Sequence, residues 1–141
     1  LSSSKEKMKM FKENPILGHI TTFGGHPVIA SAALANLKET LNSGVMTEVT
    51  EKENLIRKLL KHKLIMEVRG MGLMLALILK NKKIANQLVV KSLEKGLILF
   101  WLLFEAKAVR ITPPLTISNK EIKLGCKSII DTLDEINNTV D

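Results

Sequence analysis

The sequence contains one cysteine, Cys126, and no tyrosine among its 141 residues. A single cysteine excludes an internal disulfide framework and fits a reducing compartment. No apolar run approaches the roughly 20 residues of a membrane-spanning helix, and no secretory segment follows a basic start. We therefore expect a cytoplasmic protein that has no membrane partner.

Arginine is also scarce. Only Arg57, Arg69 and Arg110 occur among the 21 basic residues, so dispersed lysines carry the net charge of +7. Proteins that bind nucleic acids usually combine arginine forks with stacking aromatic side chains. We therefore expect a solvated lysine surface and no nucleic-acid partner. The alternative, DNA binding driven by net charge, predicts an affinity that falls log-linearly with salt.

Histidine gives no support to metal or nucleophilic chemistry. His19, His26 and His62 do not form a metal-ligand spacing with Cys126, so no metal site is expected. His19 and His26 are interpreted as hydrogen-bonding loop residues. Cys126 falls on the apolar stripe of a helix with no base beside it, which predicts a buried structural thiol. No Ser-His-Asp or Cys-His constellation is present, and no catalytic residue is assigned.

Hydrophobic periodicity predicts the fold class. Residues 28–41 form a helix pattern that is nearly all apolar over residues 28–35, and residues 46–61 form a helix with one apolar face. From Leu64 the order is β-β-α-β-β-α, with strands at 64–69, 73–79, 97–104 and 108–112 and the last helix behind the capping box Ser118–Glu121. Turns are predicted at 70–72 and 105–107. This order predicts an α+β fold, an antiparallel sheet with helices packed on one face.

Residues 18–27, GHITTFGGHP, combine hydroxyl-bearing and turn-forming residues just before the apolar helix. Thr21 and Thr22 offer two hydroxyl donors, and Gly24-Gly25 lets the backbone turn sharply or approach a ligand. Pro27 favours a first helical turn. The pattern suits an anion such as phosphate beside a helix start, although an ordinary turn is the alternative.

Two arginines are candidate binding residues. Arg110 lies in VRITPPL (109–115), at a strand end before a Pro-Pro stop, where a guanidinium can clamp a carboxylate. A surface arginine on an edge strand is the alternative. Arg69, which precedes Gly70-Met71-Gly72, is the second candidate. The alternative is a structural arginine that pins a hairpin turn.

Four segments resemble one family in order and spacing. Residues 19–27 (HITTFGGHP), 67–74 (EVRGMGLM), 94–97 (EKGL) and 109–117 (VRITPPLTI) are similar to segments of class III, fold type I, pyridoxal-phosphate aminotransferases. The resemblance runs from about Asn14 to Ile136 and is greatest to the acetylornithine and ornithine aminotransferase branch. His26 stands where asparagine is commoner.

The resemblance implies roles for particular residues. Thr22 matches the threonine that reaches across the family dimer to the phosphate of pyridoxal phosphate, and Thr21 matches a position that assists it. Arg110 matches the arginine that pairs with the substrate carboxylate. Arg69 and Gly70 match a structural hairpin. The implied assembly is a homodimer with its site at the subunit interface.

The resemblance also implies a domain organisation. Residues 1–27 would be the tail of the large cofactor-binding domain, residues 28–61 linking helices, and residues 62–141 the C-terminal small domain. The Schiff-base lysine would precede Leu1, so the chain by itself is expected to be inactive. The apolar surface of the helix at 28–35 is expected to be exposed within this chain and to be covered by another copy of the chain or by crystal neighbours.

The implied parent enzyme belongs to amino-acid metabolism. It would move an amino group between an ornithine- or acetylornithine-like amino or ω-amino donor and a 2-oxo acid. The alternative to this enzyme is a free-standing α+β module that binds a ligand or has a regulatory role.

Overall fold

The computed structural model describes residues 3–11 and 21–139, which fall into two compact units divided between Asn42 and Ser43. The first unit contains helices α1 (Lys5–Lys9) and α2 (Pro27–Asn42). The Ser4 side chain caps α1 by accepting a hydrogen bond from the Lys7 amide. Residues 18–27 are called the threonine loop below. Its residues 18–20, including His19, lie outside the described residues.

Helix α2 is exposed along its whole length. None of its described residues is buried, and Val28 and Leu41 are each 70% exposed. An apolar helix that keeps its side chains in water forgoes the free energy of burial. The apolar side chains of this helix are therefore exposed, as expected, and their cover by another copy of the chain stays a prediction.

The second unit is the α+β part of the chain. A short 3₁₀ turn, Val45–Glu48, leads into α3 (Val49–Leu59), β1 (Ile65–Met71), β2 (Met74–Leu79), α4 (Lys82–Glu94), β3 (Phe100–Leu102), β4 (Glu105–Ile111) and α5 (Asn119–Asn138). All neighbouring strands are antiparallel, in the order β1-β2-β4-β3. The predicted antiparallel α+β fold is confirmed.

Alternation along β2 shows which face of the sheet is covered. Leu75, Leu77 and Leu79 are buried against the helices, whereas Met74 on the opposite face is exposed. The helices supply the other side of this core, from Ile56 on α3 to Leu88 on α4 and Leu133 on α5. The predicted capping box of α5 is present, with the Glu121 amide donating to Ser118 Oγ at 3.2 Å.

Two predicted turns were wrong in position. Leu102 pairs with Glu105, so the β3–β4 turn lies at residues 103–104 and β4 begins at Glu105. The apolar run there carries no glycine or proline to mark the turn. In the first hairpin Met71 pairs with Met74, so Gly70 belongs to β1 and the turn follows at Gly72.

Candidate functional site

Arg110 lies on β4, between two neighbouring strands. Its Cα partners are Ala76 on β2 and Phe100 on β3, so β4 is an interior strand and the edge-strand interpretation was wrong. The Arg110 Cζ lies 5.2 Å from the centroid of the Phe100 ring, within the range of a cation–π contact. Buried Val109 and Ile111 flank Arg110 in sequence. The guanidinium is therefore presented on the sheet face opposite the helices.

Arg69 is on the same sheet face, one strand further away. The pairings Arg69–Ala76 and Ala76–Arg110 place the two arginines in one row across the sheet. Two strand spacings of about 4.8 Å separate their backbones by about 10 Å. Arg69 Nη2 lies 2.7 Å from Glu67 Oε2, and this hydrogen bond holds the pKa of Glu67 below its usual value. Ala76, which lies between the two arginines in this row, contributes only a methyl side chain.

The first hairpin is pinned by Arg57 on α3 and not by Arg69. Arg57 Nη1 donates to the Val68 carbonyl, and Nη2 donates to the Gly70 carbonyl at 2.7 Å. Glu53, one helical turn earlier, accepts from the Gly72 amide at 2.6 Å and from Arg57 Nε at 2.8 Å. The structural alternative considered for Arg69 was therefore wrong. The Glu53–Arg57 spacing of four residues was the available signal, and it is common on helix surfaces.

A cavity of about 320 Å³ lies on the helix side of the strand that carries Arg110. Leu97–Phe100, Arg110–Pro114 and α5 line it, together with Ile56 of α3. Cys126 on its wall is 5% exposed, and burial raises its pKa to about 11. The prediction of a buried structural thiol is confirmed, because this environment disfavours the reactive thiolate.

The connection that leaves β4 is fastened to α3. Lys52 is 5% exposed, and its Nζ donates to the Leu115 carbonyl at 2.8 Å. The same ammonium lies 2.8 Å from the Glu48 carboxylate. A buried lysine requires such partners, because a desolvated unpaired charge is unfavourable. The sequence did not single out Lys52, since it stands among many lysines in polar patterns.

The threonine loop, residues 18–27, belongs to the first unit. Thr21 and Thr22 are exposed, and the Gly24 amide donates to the Thr21 carbonyl at 3.1 Å. A Cβ at Gly24 would lie 2.8 Å from Thr21 Oγ1, so glycine leaves room for this hydroxyl. Exposed hydroxyls beside the N-terminus of α2 fit a phosphate group.

The histidines that the structure describes make local contacts. His26 Nδ1 accepts from the Val28 amide at 3.3 Å, which confirms a hydrogen-bonding loop residue. His62 Nε2 lies 3.2 Å from Asp134 Oδ1. Among residues 3–11 and 21–139, no group of three or more His, Cys, Asp or Glu side chains could hold a metal ion. In the same ranges, no helix combines the length and apolarity that crossing a membrane requires.

A sequence profile described as aminotransferase class-III matches residues 2–133. The chain belongs to this family. Class-III aminotransferases depend on pyridoxal phosphate. The chain is 33% identical over 138 residues to an acetylornithine aminotransferase of Caldanaerobacter subterraneus subsp. tengcongensis, covering 94% of the chain and 34% of the relative. It is 32% identical over 134 residues to a putrescine aminotransferase of Pectobacterium atrosepticum, covering 91% and 28%.

Solved structures agree with the family assignment. A Bacillus anthracis aminotransferase superposes with a TM-score of 0.74 at 25% identity, over 94% of this chain and 34% of that one. The chain therefore spans about a third of the length of the class-III relatives it matches. The antiparallel sheet with its helices matches the fold of those enzymes over the same portion.

Proposed function

We propose that the whole protein is a pyridoxal-phosphate-dependent aminotransferase and that this chain is its C-terminal portion. It transfers an amino group from an ornithine- or acetylornithine-like donor to a 2-oxo acid. The family match supports the reaction class, and the acetylornithine aminotransferase relative supports the donor. The putrescine aminotransferase relative makes a diamine donor the competing candidate.

The observation that carries the proposal is the placement of Arg110. Its guanidinium rests against Phe100 on the exposed face, beside the small side chain of Ala76. A planar guanidinium held there can form two parallel hydrogen bonds to a carboxylate. Arg110 would thereby bind the substrate carboxylate and orient the amino group, which is a positioning contribution to catalysis.

Thr22 would donate its hydroxyl to the cofactor phosphate held by the other subunit of a homodimer, and Thr21 would assist. The exposure of both side chains and the missing Cβ of Gly24 support this assignment. When bound, pyridoxal phosphate supplies the electron sink for the reaction. The role of this chain would be to hold the phosphate and the substrate carboxylate.

The domain assignment follows from the same proposal. Residues 1–27 would end the large domain, residues 28–61 would link the domains, and residues 62–141 would form the small domain. The exposed apolar side chains of α2 support a covering surface elsewhere in the enzyme. We place the enzyme in the cytoplasm, in amino-acid metabolism.

The test is a single-turnover measurement on the whole protein, with the donor alone added and the cofactor absorbance followed. In an Arg110→Gln variant, the apparent Kd for ornithine or acetylornithine should rise about tenfold or more through loss of a charge-assisted contact. The apparent Kd for putrescine, which has no carboxylate, should be unchanged. Arg69→Gln, on the same face, is the matched control.

The outcomes separate the candidate donors. Equal effects of Arg110→Gln on putrescine and ornithine would refute the role of Arg110. Turnover of putrescine alone would replace the proposed donor with a diamine and leave the reaction class intact. Absence of amino transfer from all three donors would contradict the proposal.

One observation favours the second candidate, a free-standing ligand-binding module. The unit from Ser43 to Asp141 has a continuous core of its own, in which α3, α4 and α5 pack against strands β1, β2 and β4. The reading frame upstream of Leu1 discriminates between the candidates. A large domain with a lysine-bearing cofactor loop encoded there would exclude the module.

A further inference from the structure

We propose that Lys52 is a positioning residue for the substrate-binding arginine, acting through the connection between β4 and α5. The inference rests on the proposed function, because the substrate carboxylate is what Arg110 would bind. Lys52 has no counterpart among the segments that carry the family resemblance. Its role is inferred from its burial and its contacts.

The first step is the burial of the ammonium. The Lys52 side chain is 6% exposed, whereas its partner Glu48 is 62% exposed. A lysine normally keeps its charged end in water, so burial of the whole side chain indicates a specific requirement. At Lys52 the ammonium is directed to the Leu115 carbonyl at 2.8 Å.

The second step is the stiffness of the connection. After Ile111 the chain leaves the sheet through Thr112, Pro113 and Pro114. Each proline ring fixes φ near −65°, so the segment between β4 and Leu115 has few free torsions. A displacement at Leu115 is therefore passed along the prolines to the end of β4 and is not absorbed locally.

The third step is that the same segment continues directly from the strand that carries Arg110. Thr112, Pro113 and Pro114 line the cavity of about 320 Å³ on the helix side of the sheet, two to four residues after Arg110. The Ile117 amide donates to the Pro114 carbonyl at 3.0 Å and closes the turn that follows the prolines. Lys52 holds the outer end of this turn through the Leu115 carbonyl. A continuous series of contacts and backbone bonds therefore joins α3 to the strand that carries Arg110.

The test uses the whole protein with Lys52→Met, which keeps the side-chain length and removes the donor and the charge. We expect KM for the carboxylate donor to rise about tenfold while kcat changes less than about twofold, the pattern of a lost binding contact. Lys52→Arg keeps a cation and a donor and should restore KM. Lys58→Met, at an exposed position of the same helix, is the matched control.

A second readout does not depend on activity. Hydrogen exchange of the Ile117 amide should be faster in Lys52→Met than in the wild type or Lys58→Met, because the turn it closes loses its tether. If Lys52→Met does not fold, Lys52→Gln replaces it, because glutamine keeps a polar group at this position while its side chain is one bond shorter than lysine and carries no charge to pair with Glu48. Lys52→Gln should likewise raise KM and speed exchange at Ile117.

The outcomes distinguish this inference from the proposed function. Wild-type KM and wild-type Ile117 exchange in a folded Lys52→Met or Lys52→Gln protein would overturn it, even where Arg110→Gln raises the apparent Kd. A fall in kcat with unchanged KM would overturn it too. If the wild type transfers no amino group, the proposed function fails, and unaltered exchange at Ile117 would independently refute the tether.

Discussion

Arg57 Nη2 donates to the carbonyl oxygen of Gly70 at 2.7 Å, and this contact fastens helix α3 to the first hairpin. Arg57→Met should lower the free energy of unfolding by about 2 kcal/mol, because the Val68 and Gly70 carbonyls lose their donor. Arg69→Met, in the same hairpin but 62% exposed, should change it by less than about 0.5 kcal/mol. Urea unfolding of both variants measures the difference. Equal effects would contradict the assignment of Arg57 as the residue that pins the turn.

Gly70 tolerates no side chain. Its φ is +122°, and a Cβ there would lie 2.2 Å from the Met74 carbonyl oxygen. Gly70→Ala should destabilise the protein by about 3 kcal/mol, through backbone strain and the clash together. Gly96→Ala is the control, because φ there is +77° with no atom within 4 Å, and it should cost about 1 kcal/mol. A thermal unfolding series that ranks Gly96→Ala as the more harmful change would disprove this account.

Glu53 should make stability depend on pH in the acid range. The hydrogen bonds from Arg57 and from the Gly72 amide lower its pKa below the ordinary value. Its contribution is therefore fully present above the unfolded pKa, near 4.3, and is lost as pH falls through the folded pKa. Urea midpoints of Glu53→Gln should approach those of the wild type as the pH falls. Glu51→Gln, on the exposed side of the helix, should retain the wild-type pH profile.

Cys126 should be unreactive in the folded protein. Burial raises its pKa to about 11, so little thiolate forms near pH 8. Labelling by a thiol reagent, followed by mass spectrometry of the Cys126 peptide, should be about 100-fold slower than in urea. The contribution of the neutral thiol to stability is present below about pH 8.5 and is lost as pH rises through about 11. Cys126→Ala should remove this loss of stability at alkaline pH. Rapid labelling of Cys126 at pH 8 in native buffer would contradict the prediction of an unreactive thiol.

The elements with strong local signals could be predicted from the sequence. Helix α5 begins behind its capping box at Ser118, and the apolar run that includes Leu77 forms the buried strand β2. The turn between β3 and β4 could not be placed, because Leu103 and Phe104 have the same apolar character as the strand before them. Both side chains are exposed, at 92% and 101%.

Only part of the candidate site could be predicted from the sequence. Arg110 was found because a Pro-Pro stop follows it, and its neighbours in the sheet then came from strand pairing. Arg57 and Lys52 were missed, because each acts on backbone carbonyls distant in sequence, Val68 and Leu115. No local pattern marks a side chain whose acceptors belong to another element. The roles of Thr21 and Thr22 in binding phosphate stay predictions.

The strand order β1-β2-β4-β3 affects how the polypeptide folds during synthesis. The first hairpin closes over a few residues, so it can form as soon as it leaves the ribosome. The covering layer is completed only by α5, whose Ile122, Leu133 and Ile136 are buried in the common core. Until those residues emerge, the leucine face of the nascent sheet is only partly covered by α3 and α4, and its exposed part is a binding target for chaperones and for other unfinished chains. Completion of this core therefore waits for α5 to be translated.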